Sequence, residues 1–191
     1  MKLNVIPFVG LIIILSLMSC DGDKTGNRKS GENYDSLFLG IHLGMNRKDF
    51  YDHCAELNKQ KVFTHGPTNT SVQFMLVNEL EQPVMMRFYP DFYKDKIVDM
   101  PVTFSYEAWA PWNKQYHSEL LLPQMLSVFK RWYGEDFKVM EHPTQGTIYY
   151  KMDGKRRINL FIRDDQFVQA VFTDLALDKE RNDEKSKGAA N

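Results

Sequence analysis

The sequence predicts an α+β domain: a twisted antiparallel sheet of about 6–8 strands with two helices packed on one face. Two stretches, near residues 47–60 and 122–133, set apolar side chains at helical spacing, while eight others alternate or run apolar over strand-like lengths. The strand-like stretches follow one another through short turn clusters. Such connections pair neighbours antiparallel and leave no room for the crossovers a parallel sheet needs. The resulting order is β-α-β-β-β-α-β-β-β-β. It also reads as a helix followed by three or four strands, twice, which raises a duplicated α-β-β-β unit on order alone.

Leu37 to Leu43 opens the domain as a strand or extended entry, closed by Gly44. Asn46 then offers a helix cap, with Asp49 in the capping-box position and Met45 and Phe50 spaced as a hydrophobic staple. Phe50, Cys54 and Leu57 fall on one face of the helix that follows, over about Arg47 to Gln60, with Lys48, Asp52, Glu56 and Lys59 left for solvent. Gly66 to Asn69 is a turn cluster, after which Val72 to Val77, Val84 to Tyr89 and Val102 to Tyr106 are strands, with Leu80 to Pro83 and Pro90 to Lys96 as connections.

The second helix carries Leu122, Leu126, Phe129 and either Trp132 or Tyr133 on its apolar stripe and stops at Gly134. Pro123 either opens it or interrupts a longer helix from Ser118. Phe137 to Glu141, Thr147 to Met152, Arg156 to Arg163 and Gln166 to Thr173 complete the sheet, with Asp153-Gly154 as the clearest hairpin signal and Asp164-Asp165 as a second tight connection. Asp178 to Asn191 is so rich in charge that residues 176–191 read as a solvated, disordered tail. The single domain is therefore expected over 36–175.

The N-terminus carries a different kind of signal. Lys2 precedes a run without charge from Leu3 to Ser19, and the apolar part, Val5 to Met18, is too short for a comfortable membrane span but suits a signal peptide. Leu17-Met18-Ser19-Cys20 resembles the lipobox of bacterial lipoproteins, with the less usual Met18 at its middle position. The resemblance implies cleavage between Ser19 and Cys20, a covalent diacylglycerol on the Cys20 sulfur and an N-acyl (palmitate-type) chain on its new amino terminus. The alternative is a single anchor helix with a chance cysteine at its end.

On the lipoprotein reading, residues 1–19 are the leader, residues 20–35 hold the lipidated Cys20 and a polar tether, and two or three acyl chains give a lasting membrane anchor. Cys54 is left as the sole side-chain thiol, buried on its helix stripe. Asp21 and Asp23 fit either inner-membrane retention or the acidic export signal of Bacteroidetes-type lipoproteins, and the outer membrane is the favoured location. Leu43 to Phe50 also resembles the helix entry of small envelope lipoproteins of the outer-membrane-assembly (BamE/SmpA-like) and β-lactamase-inhibitor-like group. That resemblance implies a domain that binds other proteins.

Charge and motif content narrow the remaining chemistry. In 191 residues, 24 Lys and Arg balance 25 Asp and Glu, and no polybasic stretch suggests a nucleic-acid partner. No nucleophile elbow, zinc-protease helix, phosphate loop, dinucleotide fingerprint or C-x-x-C pair occurs. His42, His53, His65, His117 and His142 have no ligand-spaced partners, so neither a catalytic set nor a metal site is expected, and no cofactor beyond the lipid.

The aromatic content, 13%, is concentrated between Phe88 and Tyr116. Core packing is the ordinary reading of that concentration. The sharper one is a binding platform of Trp109, Trp112, Tyr106 and Tyr116 for a glycan or a partner protein. Lys155-Arg156-Arg157 reads as a solvated charge run, with contact to acidic lipid or polysaccharide as the alternative. The chain is thus expected to be a non-catalytic binding or structural module of the envelope. A glycan-binding lipoprotein and a hydrolase built from dispersed acids and histidines are the alternatives.

Overall fold

A glycine-containing turn, not a strand, begins the domain. The computed structural model describes residues 34–66 and 70–188; the leader 1–19, with Ser19, then Cys20 and the tether as far as residue 33 lie outside the described residues. Ser36 and His42 form one antiparallel bridge, and between them Ile41 N–H donates to the Phe38 carbonyl at 2.9 Å. Leu39 and Gly40 take positive φ angles of 50° and 80°. Glycine is required at the second of these, because a Cβ there would meet the His53 ring at 2.9 Å. His53 Nε2 in turn bonds the Leu39 carbonyl at 2.7 Å and fixes the turn to the first helix.

That helix, α1 (Arg47–Lys59), starts as its sequence predicts. The Asn46 side chain accepts from the Asp49 N–H at 2.9 Å and donates to the Asp49 carboxylate at 2.6 Å. Strands β1 (Thr64–His65), β2 (Val72–Leu76), β3 (Val84–Phe88), β4 (Asp91–Tyr93) and β5 (Lys96–Tyr106) follow. After α2 (Ser118–Tyr133) come β6 (Lys138–His142), β7 (Gly146–Asp153), β8 (Arg156–Ile162) and β9 (Val168–Asp174), and the chain ends in α3 (Leu175–Gly188). All pairings are antiparallel, in the order β1-β2-β3-β5-β9-β8-β7-β6, with β4 on β5.

The fold is α+β, an open nine-stranded antiparallel sheet with helices packed on it. With the short β4 set aside, its strand order reads the same from both edges. Each half is a helix followed by a four-strand meander, and the halves meet through their last strands, β5 and β9. The order and pairing of elements are thus repeated between the halves, each with one strand more than an α-β-β-β unit.

Side-chain alternation divides the sheet into two unlike faces. One row runs Phe74, Met86, Phe104, Val168, Ile162 across five strands. Phe129 of α2 packs on this face, with its ring 5.8 Å from Phe104 and 5.9 Å from Phe172. Phe50 of α1 belongs to the same buried cluster. The row behind it, Gln73, Arg87, Thr103, Gln169, Phe161, is mixed in character.

The strand and helix counts need correction. The expected strand at Leu37 to Leu43 is the entry turn, and two unexpected strands appear: β1, and β4, which arises because Lys94 and Asp95, in a segment expected to be a connection, both take positive φ (46° and 63°) and close a two-residue hairpin between β4 and β5. The expected tail is largely α3. Asp174 Oδ1 accepts from the N–H groups of Ala176 and Leu177 at 3.0 and 3.1 Å and caps its first turn. Arg181 of α3 reaches Asp99, one residue out of phase with the core-facing Met100, so the third helix lies on the other face from α1 and α2. Helices are therefore not confined to one face.

Candidate functional site

The feature that organises the site is a clamp on the residues that enter the domain. Arg156 is 5% exposed. Its Nη1 donates to the Ser36 carbonyl at 2.6 Å, its Nη2 to Asp153 at 2.9 Å, and its guanidinium lies 5.0 Å from the centre of the Tyr133 ring. Tyr133 donates its hydroxyl to the Leu37 carbonyl at 2.9 Å. Lys155 pairs with Asp35 at 3.2 Å and with Asp174 at 3.3 Å. Lys151, also buried, holds the second oxygen of Asp153 at 3.1 Å. The expected solvated run Lys155-Arg156-Arg157 is thus corrected at Arg156, while Lys155 keeps 45% of its side chain exposed. The Asp153-Gly154 turn points Arg156 inward, where the chain entry and Asp153 supply the partners that a buried charge requires.

Beside this clamp lies a cleft of about 500 Å³, within the range of ligand-binding cavities. One wall is the entry turn, Ser36 to Leu39; the opposite wall is the end of β2 and the loop beyond it, Phe74 to Glu79; Trp132 and Tyr133 at the end of α2 close the inner side, with Met86 in the floor. Each wall has a local cause. Gly134, at φ 96°, ends α2 directly after Trp132-Tyr133 and leaves both rings at the helix terminus. Burial raises the Tyr133 hydroxyl pKa, so it stays a neutral hydrogen-bond donor. Polar side chains are few: Ser36, Asn78 and Glu79, the last held by Arg131 at 3.2 Å. The cleft suits an apolar guest and has no set of groups for acid–base or nucleophilic work.

A second groove, of about 420 Å³, runs between α1 and the β1-β2 hairpin, with Tyr51, Cys54, Phe63 and Tyr89 in its walls. Burial pushes the Cys54 thiol up to about 12. A reactive cysteine needs the opposite shift.

The expected aromatic platform is divided by the fold. Tyr106 is 4% exposed, and Tyr116 stands edge-on to it with centroids 5.4 Å apart. Trp109 is half-buried against the core and faces His117 at 6.4 Å. Trp112 alone stands out, 83% exposed, on the loop after β5. The four side chains therefore do not share one exposed surface. Of the histidines, His53 serves the entry turn, His42 bonds the neighbouring Leu43 carbonyl at 3.0 Å, and His117 is buried at the start of α2. Among the described residues no group of three His, Cys, Asp or Glu is placed to hold a metal ion, and no helix is long and apolar enough to cross a membrane. Ser19 and Cys20 lie outside the described residues.

No protein-family model, curated protein or solved structure matches the chain. The site is accordingly read from its own geometry. Sequence reasoning missed the cleft, because its walls come from segments some forty residues apart or more; the one local signal was the Trp132-Tyr133-Gly134 helix end.

Proposed function

We propose that the protein is an exported lipoprotein of the bacterial envelope, anchored by acyl groups on Cys20 and favoured at the outer membrane, whose domain is a non-catalytic binding module. The observation that carries the binding reading is the aromatic cleft beside the clamped entry segment: a ready-made apolar cavity with few polar groups. The lipobox-like Leu17 to Cys20 supports the anchor. The clamp complements it, since Tyr34 to Leu37 are the first described residues after the tether and are tied to the sheet by Arg156, Lys155 and Tyr133. Pull on the tether then reaches buried charge, not a fraying terminus.

The test is expression of the wild-type chain and of Cys20→Ala with a radiolabelled fatty acid, followed by membrane fractionation. The wild type takes up label and sediments with outer membranes. The variant is unlabelled and leaves the membrane fraction; a variant that stays membrane-bound overturns the anchor.

A second reading, glycan binding, rests on Trp112, which stands at the opposite end of β5 from the clamp and is free to stack on a sugar ring. Replacing Trp112 by Ala should abolish any glycan-array signal if that reading holds.

A further inference from the structure

The cleft continues over an open strand edge. β1 is two residues long and pairs with β2 at Val72 and Gln73 alone, so β2 from Phe74 onward has a neighbour on one side only, β3. The direction of the free groups follows from the hairpin: Gly66 N–H donates to the Ser71 carbonyl at 2.8 Å, so the odd-numbered residues of this strand turn their backbone groups toward the β1 side. Met75 therefore presents both an N–H and a carbonyl to that edge, and neither has a partner among the described residues. Phe74 and Leu76, its even neighbours, line the cleft. A strand laid along this edge would meet the hydrogen-bonding groups of Met75 and place every second side chain above the cleft.

We infer that the open edge of β2 takes an extended, basic peptide segment of another envelope protein as an added strand, with one of its apolar side chains entering the cleft between Phe38, Phe74 and Trp132. The inference rests on reading the domain as a binding module and names the partner class. Strand addition draws affinity from main-chain bonds and specificity from pockets for alternate side chains, and both are present here. Charge completes the match. The loop that prolongs β2 carries Glu79 and Glu81; Arg131 answers the first, and the exposed Glu81 has no ion-pair partner among the described residues. Unpaired N–H and carbonyl groups at an exposed edge favour a peptide over a purely apolar guest.

The probe is a fluorescent seven-residue peptide of alternating phenylalanine and threonine with a lysine at each end. It is titrated by anisotropy into the full chain reconstituted in phosphatidylcholine vesicles, with empty vesicles subtracted. Saturable binding is expected. N-methylation of alternate peptide nitrogens should weaken it at least about tenfold, Met75→Pro by a similar factor, and Glu81→Lys about threefold. Circular dichroism checks the folding of Met75→Pro, and if that variant does not fold, the N-methylated peptide decides, because it leaves the protein unchanged. No binding, or equal binding of parent and N-methylated peptides, overturns the inference. So does displacement of the peptide by a free fatty acid with no effect of Met75→Pro, which makes the cleft a lipid pocket. Concentration-dependent dimerisation that Met75→Pro removes also overturns it, with a second copy as the occupant. None of these outcomes bears on Cys20, whose fractionation test stands apart.

Discussion

Arg156 holds the carbonyl of Ser36 at 2.6 Å, 120 residues earlier in the chain, while its other terminal nitrogen holds Asp153 at 2.9 Å. This one side chain joins the domain's first described segment to the β7-β8 hairpin, and it does so away from water, with 6% of its side chain exposed. Removing it would leave Asp153 facing Lys151 alone and the Ser36 carbonyl without its donor.

Arg156→Ala should therefore be among the most destabilising single changes in the chain. Breaking one partner of a buried pair costs about 3–5 kcal/mol, because the remaining charge stays desolvated. Arg163→Ala, whose pair with Asp164 is exposed on both sides (41% and 43%), should cost at most about 1 kcal/mol. Urea unfolding of the two variants side by side checks this; similar midpoints would show that the buried clamp carries no special weight.

The Cys54 thiol, pushed up to about 12 by burial, should resist thiol reagents in the folded protein. At pH 8 an Ellman titration of the Cys20→Ala chain should read close to no thiol per chain until urea is added, then one. The stability linkage has a definite sign. The unfolded thiol loses its proton near the ordinary value of about 8.5, and the folded one does not until about pH 12. Between those values the unfolded chain binds fewer protons, so this group lowers stability as pH rises. Cys54→Ser or Cys54→Ala should flatten the alkaline limb of a stability-against-pH curve.

What the sequence made legible, and what it did not, follows from the range of each signal. The α1 start is local, Asn46 to Phe50, and the structure reproduces the cap bond for bond. β5 was expected only over Val102 to Tyr106 but begins at Lys96, running through Pro101, a residue that central strands seldom hold. In the sheet Pro101 falls between the last rung to β3 at Val102 and the first to β4 at Asp99, where no ladder partner stands on that side. The β4-β5 turn was hidden because Lys94 and Asp95 adopt positive φ without glycine. They are held there by α1: Arg47 N–H bonds the Asp95 carbonyl and its side chain the Asp95 carboxylate, both at 2.8 Å. The cleft was invisible for a related reason, since its walls meet only through sheet register.

Phe50 is the one buried residue of α1, and its ring meets Phe92 at 6.0 Å and Tyr89 at 6.3 Å. A helix with so narrow an anchor depends on it. Phe50→Ala should cost about 3–5 kcal/mol by the usual penalty for truncating a buried phenylalanine. Because Arg47 and His53 tie α1 to the β4-β5 turn and to the entry turn, the loss should spread to both. Hydrogen exchange should show faster amide exchange at Leu37 and Ile41 as well as in α1. Acceleration confined to α1 would mean the helix is not coupled to the entry.

The last helix depends on charge. α3 buries no residue; beyond the bond from its first N–H, Leu175, to the Lys155 carbonyl, its ion pairs to the sheet are Arg181 to Asp99 at 2.8 Å and Lys94 to Glu180 and Glu184 at 2.5 and 2.7 Å. The hydrogen bond from Lys94 holds the Glu184 carboxyl below its usual pKa, and the same contacts raise that of Lys94. A depressed carboxylate contributes stability above its unfolded pKa, near 4.3, and loses it as pH falls through the folded value. A raised ammonium keeps its contribution through neutral pH. Protection of the α3 amides should therefore be level from about pH 6 to 9 and fall below about pH 4, while the β5-β9 amides stay protected. Exposed pairs are screened once the Debye length shrinks to about 3 Å, so 1 M salt at pH 7 should produce the same selective loss. Lys94→Ala should mimic both treatments at low salt. If α3 stays protected at pH 3 and in 1 M salt, packing of Leu175 and Leu177 holds it, and its ion pairs are incidental.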